Sequence, residues 1–150
     1  MQSDVTKWAQ SGTVSLWRYS ENPRAFRGWH LTADDAGVAS IISLLKLLAR
    51  SDPADFRTIS ITPPTPRMLQ APNYQRGDAQ TVSPLKWRLS HACAANTWSF
   101  PIGLDPASLT VGDAYVPELI QGLEGIPSGL GDYSIGNEDS ATRLWFWWLL

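Results

Sequence analysis

Apolar positions along this chain repeat with two different periods, and the change of period marks the elements. Residues 13 to 19, TVSLWRY, alternate, with Val14 and Leu16 on one side and Trp17 and Tyr19 on the other, which predicts a strand. SENPRAFRG reads as a turn and GWHL as a short second strand. The period then becomes helical. Thr32 is predicted as the N-cap, with Asp35 in the capping-box position and Asp34 and Asp35 at the positive end of the dipole, so a long helix is expected over about 33–50. Asp35, Ala39, Ser43, Lys46 and Arg50 form its polar stripe. Ile41, Ile42, Leu44, Leu45, Leu47 and Leu48 cover an arc of roughly 220°, wider than packing on one sheet requires, so a long loop or a second copy of the chain is expected to cover part of it. After SDPAD, FRTISIT reads as a strand with Ile59 and Ile61 on one face.

Residues 63–80 are a long Pro-rich connection without periodicity. PLKWRLSHA alternates again, with Leu85, Trp87 and Leu89 on one face. CAAN is expected to turn it into TWSFPI as a hairpin, with Trp98, Phe100 and Ile102 alternating. VPELIQGLEG predicts a short helix over about 116–124, Pro117 near its start and Gly125 at its end. GDYSIG and TRLWFWWLL form a last hairpin. Both faces of LWFWWLL are apolar, so that strand must be central in a sheet or covered by a second subunit. The expected class is α+β: one antiparallel sheet of about six to seven strands, with the long helix packed on a face and the short helix beside it.

Composition fits a single globular domain over 1–150: 43% of residues are hydrophobic and 17% charged, and a chain of 150 residues supports a core without disulfide or metal staples. Cys93 is the one cysteine, which excludes an intrachain disulfide and a Cys-based zinc site. His30 and His91 lack ligand spacing, so neither metal nor cofactor is expected. The opening MQSDVTKWAQSG is not a secretory signal, and the apolar runs IISLLKLLA and LWFWWLL are too short to span a bilayer. A soluble, cytoplasmic protein without membrane contact is therefore expected. A net charge of −2 argues against nucleic acid as partner. The charge is uneven: from Asp105 onward seven acids face Arg143 alone. Of the twelve cations nine are Arg, the cation that stacks on indole rings.

Candidate chemistry is sparse. Ser43 and Lys46 have the S-x-x-K spacing, but both lie on the polar stripe of the helix. DYSIG, from Asp132 to Gly136, departs from the nucleophile elbow at its first residue and precedes no helix. GIPSGLGD lacks the Lys of a phosphate loop, and Pro63 and Pro66 give only the spacing of a polyproline ligand. The densest cluster runs from Trp17 to His30. Trp17, Arg24, Arg27, Trp29 and His30 are expected to form one surface patch that binds a partner or ligand, with Asp132 and Tyr133 as further binding candidates. An internal network of stacked Arg and Trp is the alternative. No residue is assigned a catalytic role.

YSENPRAFRGWHLTADDAG, TPPTP with APN, and GLGDYSIG leading into LWFWW resemble small single-domain bacterial proteins grouped as domains of unknown function. The resemblance brings no catalytic residues. By analogy with small acidic immunity proteins, it implies a non-enzymatic protein that binds another protein and neutralises a toxin. A small-ligand binder, or a small enzyme using His30 and Asp132 in an aromatic pocket, is the alternative.

Overall fold

The computed structural model describes residues 4–19, 27–52, 55–69, 81–129 and 133–148. A 3-10 turn at Asp4–Lys7 leads into β1 (Val14–Tyr19) and β2 (Trp29–Ala33), an antiparallel pair in which Trp17 stands opposite His30. Helix α1 (Asp35–Ala49) follows, then β3 (Phe56–Ser60), a single helical turn α2 (Pro66–Leu69), and β4 (Thr81–Val82). Next come β5 (Lys86–His91), β6 (Trp98–Ser99), β7 (Ala107–Val111) and α3 (Val116–Gly125). β8 (Tyr133–Ile135), a 3-10 turn at Ser140–Thr142 and β9 (Leu144–Phe146) complete the order.

The class is α+β, but the single antiparallel sheet is replaced by two mixed sheets. One has the order β4-β1-β2-β9-β8 and the other β3-β5-β7-β6. Each contains one parallel pair, β2 with β9 and β5 with β7. The second parallel pair comes from a strand that the pattern reading missed. β7 alternates, with Ala107, Leu109 and Val111 buried and Ser108 and Thr110 half-buried, and it slides between β5 and β6. The expected hairpin of β5 with β6 therefore does not form; β6 pairs with β7 instead. The 92–97 turn holds this arrangement through bonds from Ala92 N to Val111 O, Gly112 N to Thr97 O and Ala114 N to Ala95 O. Two outer positions of the expected hairpin leave the core, Leu85 being 80% and Ile102 59% exposed.

Two further expectations are corrected, and a third is met. Thr32 does not cap α1: it is buried in β2, and Asp34 is the N-cap, accepting from Gly37 N at 2.7 Å. The sheet needs Thr32 as its fourth residue, so the helix starts two residues later. Part of the Pro-rich connection is helical, α2 starting at Pro66, where a missing N–H costs nothing; residues 70–80 lie outside the described ones. The last hairpin does form, Ser134 facing Trp145, and β9 is central, flanked by β8 and β2.

Alternation puts apolar residues on both faces of the five-stranded sheet, and each face builds a core. Val14, Leu16, Trp29, Leu31, Leu144 and Phe146 join the inner face of the second sheet and the buried sides of α1 and α3. On the opposite face Trp17, Tyr19 and Trp147 pack with Met68 and Leu69 of α2, flanked by Trp145 and Trp148. The turn α2 thus supplies the cover that β9 requires from within the chain. Among the described residues, no helix is long and apolar enough to cross a membrane.

Candidate functional site

The expected Trp and Arg patch is divided by the simplest rule of strand geometry. Trp29 and His30 are adjacent on β2, so their side chains leave on opposite faces. Trp29 enters the main core, stacked on Phe100 at 4.7 Å and 8°, with the Arg18 guanidinium 5.2 Å from its ring. Arg18 also donates to Ile102 O at 2.9 Å. An internal Arg–Trp stack exists, then, but its cation is Arg18. Trp17, Trp29 and His30 are each 0% exposed, so they form no surface. Arg27 is exposed, and its carbonyl accepts from Trp145 Nε1 at 2.9 Å. Arg24 and Asp132 lie outside the described residues.

His30 is the centre of the outer core. Its ring stacks with Trp17 at 5.7 Å and with Trp147 at 6.1 Å, both within 18° of parallel, and Trp145 continues the stack beyond Trp147 at 6.2 Å. Tyr19 meets the imidazole edge-on at 4.9 Å and donates its hydroxyl to Leu69 O. The registers explain the stack: Trp17 and Trp145 are the cross-strand neighbours of His30 on β1 and β9. Trp147 Nε1 donates to His30 Nδ1 at 2.9 Å. This ring stack holds the imidazole away from solvent, with Nδ1 engaged by Trp147.

Tyr133 is half-buried on β8 and leans on Phe146 at 5.7 Å. Burial, and then the charge of Glu118, push its phenol above the ordinary value. The second histidine makes a different contact: His91 Nε2 lies 2.7 Å from Asp113 Oδ1, while its Nδ1 is buried without a hydrogen-bond partner. The pair ties the end of β5 to the residue that follows Gly112. Ser134, the serine of DYSIG, is a strand residue whose hydroxyl accepts from Arg143 Nε at 3.2 Å. Ser43 and Lys46 are exposed on α1, where they line an open depression of about 480 Å³ with Ala39, Ile42, Leu47 and the C-cap Arg50. Among the described residues, no three of His, Cys, Asp and Glu converge as a metal site.

Trp98 Nε1 donates to Thr142 O at 2.9 Å and the Trp98 ring lies 5.1 Å from that of Tyr115, which brings the 137–142 turn beside the start of α3. Asp113, Glu118, Glu138 and Asp139 therefore gather at one pole, all exposed. Among the described residues Asp113 is paired with His91, and Glu118, Glu138 and Asp139 have no ion-pair partner. Arg143, the cation of this region, spends its guanidinium on Ser134 O, Ser134 Oγ and Asn137 O. Comparison of the chain with family models, curated proteins and solved structures finds no match.

Proposed function

We propose that this protein is a non-enzymatic binding module of immunity type, which recognises another protein through its acidic pole. The observation that carries the reading is that Glu118, Glu138 and Asp139 are exposed with no ion-pair partner among the described residues, while the one cation of this region, Arg143, donates from Nε and both terminal nitrogens to Ser134 and Asn137. Carboxylates left without internal counter-charges steer and orient a basic partner. A toxin with a cationic surface has the chemistry this pole would recognise. The alternative, a ligand pocket or proton-transfer site using His30 and Asp132, has less support: His30 is without exposed surface and its Nδ1 is engaged by Trp147.

The reading is tested by affinity capture from the native host followed by titration of the purified captured protein. A basic partner is expected, with affinity that falls steeply with salt and drops at least about tenfold in a Glu118→Lys, Glu138→Lys, Asp139→Lys variant. A partner whose affinity ignores that triple reversal would overturn the proposal.

A further inference from the structure

Ile59 of β3, Trp87 and Leu89 of β5 and Leu109 of β7 point into the main core, so strand parity turns Thr58, Lys86, Arg88, Ser90, Ser108 and Thr110 to the other face of the second sheet. The registers set these side chains in rows. Thr58, Arg88 and Ser108 stand side by side, with Phe56, Ser90, Thr110 and Ser99 in the next row and Ser60 beside Lys86 in the row before. The face thus carries two cations, a ring and hydroxyls but no carboxylate, in a chain whose net charge is −2. Half-buried Arg88 lays its guanidinium over exposed Phe56, 4.4 Å from the ring centre. Among the described residues it has no hydrogen bond, and its Nε is buried without a partner. A stack occupies the face of a guanidinium and leaves its in-plane N–H donors for an acceptor. Lys86, exposed and about 7 Å along the same strand face, has no ion-pair partner among the described residues either.

We propose that this sheet face binds a sugar phosphate, with the phosphate held by Arg88 and Lys86. The guanidinium fork matches two oxygens of an oxyanion, and a second cation beside it balances the second charge of a phosphate monoester. Thr58 and Ser108 flank Arg88 on the neighbouring strands, so hydroxyl donors stand on both sides of the fork for the remaining oxygens. A carboxylate has two oxygens and one charge, fewer than these donors and cations can serve. The row beyond Arg88 fits the carrier of the phosphate. Ser90 and Thr110 share a hydrogen bond at 2.9 Å and Ser99 beside them is exposed, and hydroxyls that both donate and accept are the natural partners of sugar hydroxyls.

The test is an NMR titration of backbone amides with glucose-6-phosphate near neutral pH at fixed ionic strength, alongside glucose, inorganic phosphate and acetate. Saturable shifts are expected in β3, β5 and β7, with glucose-6-phosphate binding more tightly than inorganic phosphate and both more tightly than acetate or glucose. Arg88→Gln should weaken glucose-6-phosphate at least about tenfold, the usual cost of losing charge-assisted hydrogen bonds, and Arg88→Lys, which keeps the charge but not the fork, should weaken it severalfold. If Arg88→Gln does not fold, Lys86→Gln decides, since Lys86 is exposed and its loss should weaken binding severalfold without disturbing the sheet. Shifts that do not saturate, inorganic phosphate or acetate bound as tightly as glucose-6-phosphate, or an affinity unchanged in the deciding variant overturns the site.

Discussion

The Asp34 carboxylate joins two elements. One oxygen accepts from Gly37 N at 2.7 Å and from Thr13 N at 3.0 Å, and the other accepts from Thr13 Oγ1 at 3.1 Å, so the start of β1 is tied to the first turn of α1. Gly37 permits this approach: a Cβ there would press on Thr13 O and stand 3.0 Å from Asp34 Oδ1. The bond from Thr13 N, and then that from Gly37 N, hold the Asp34 carboxyl below its ordinary value of 3.8. A carboxylate lowered by folding contributes stability that is complete above the unfolded value and is lost as pH falls through the folded one. Asp34→Ala is expected to cost about 1 kcal/mol in denaturant titrations at neutral pH. Asp34→Asn, which still caps but does not titrate, should flatten the decline of stability below pH ~4. An Asp34→Asn protein with the wild-type slope would show that the acid dependence arises elsewhere.

Between elements, α3 lies close against β9. A Cβ at Gly122 would lie 2.6 Å from the Phe146 ring, and Phe146 is itself buried, so neither side has room to yield. Two effects oppose each other in Gly122→Ala. The helix interior gains about 1 kcal/mol of propensity, while forcing a methyl into a packed contact costs about 1–3 kcal/mol. The ring has core on every side, so the overpacking cost should win and the melting temperature should fall. A rise would mean that α3 can slide outward on the sheet. The same contact explains why a short helix with Glu118, Gln121 and Glu124 exposed is held firmly enough to present its acids: Leu119, Gly122 and Leu123 form its buried face.

For the molecule as a whole, β9 is the strand that joins β8 to the five-stranded sheet and carries both of its cores. It is hydrogen-bonded to β2 on one side and β8 on the other, its Leu144 and Phe146 belong to the main core, and Trp145 flanks the outer one. Deleting residues 144–150 would leave β8 without a partner and open both faces of the sheet. Each aromatic ring exposed in this way carries ~150–250 Å² of surface, worth several kcal/mol at ~25 cal/mol per Å². The truncated chain is expected to lack cooperative unfolding in calorimetry, not merely a frayed end. A sharp transition near the wild-type temperature would contradict that. On the outer face α2 packs against Trp17, Tyr19 and Trp147 from within the same chain, with Trp145 and Trp148 half-buried beside them.

Pattern alone specified much at the element level. Val14–Tyr19, α1, β5 and the last hairpin follow from alternation or helical period, because those patterns record which faces must be buried. It also required burial of both faces of β9, and the clustering of acids after Asp105 was plain from the residues themselves. β7 was legible too, since ASLTV alternates, but five residues between turn-like segments give a weak signal. Tertiary structure decided the pairing: whether β5 meets β6 or β7 depends on contacts between distant segments, which local periodicity does not contain. It also chose Asp34 over Thr32 as the cap, since the sheet had the prior claim on Thr32. The candidate patch was read from proximity in sequence, whereas adjacent residues on a strand face opposite ways. That parity sent Trp29 into one core and His30 into the other, and only the registers with β1 and β9 could show which rings His30 would meet.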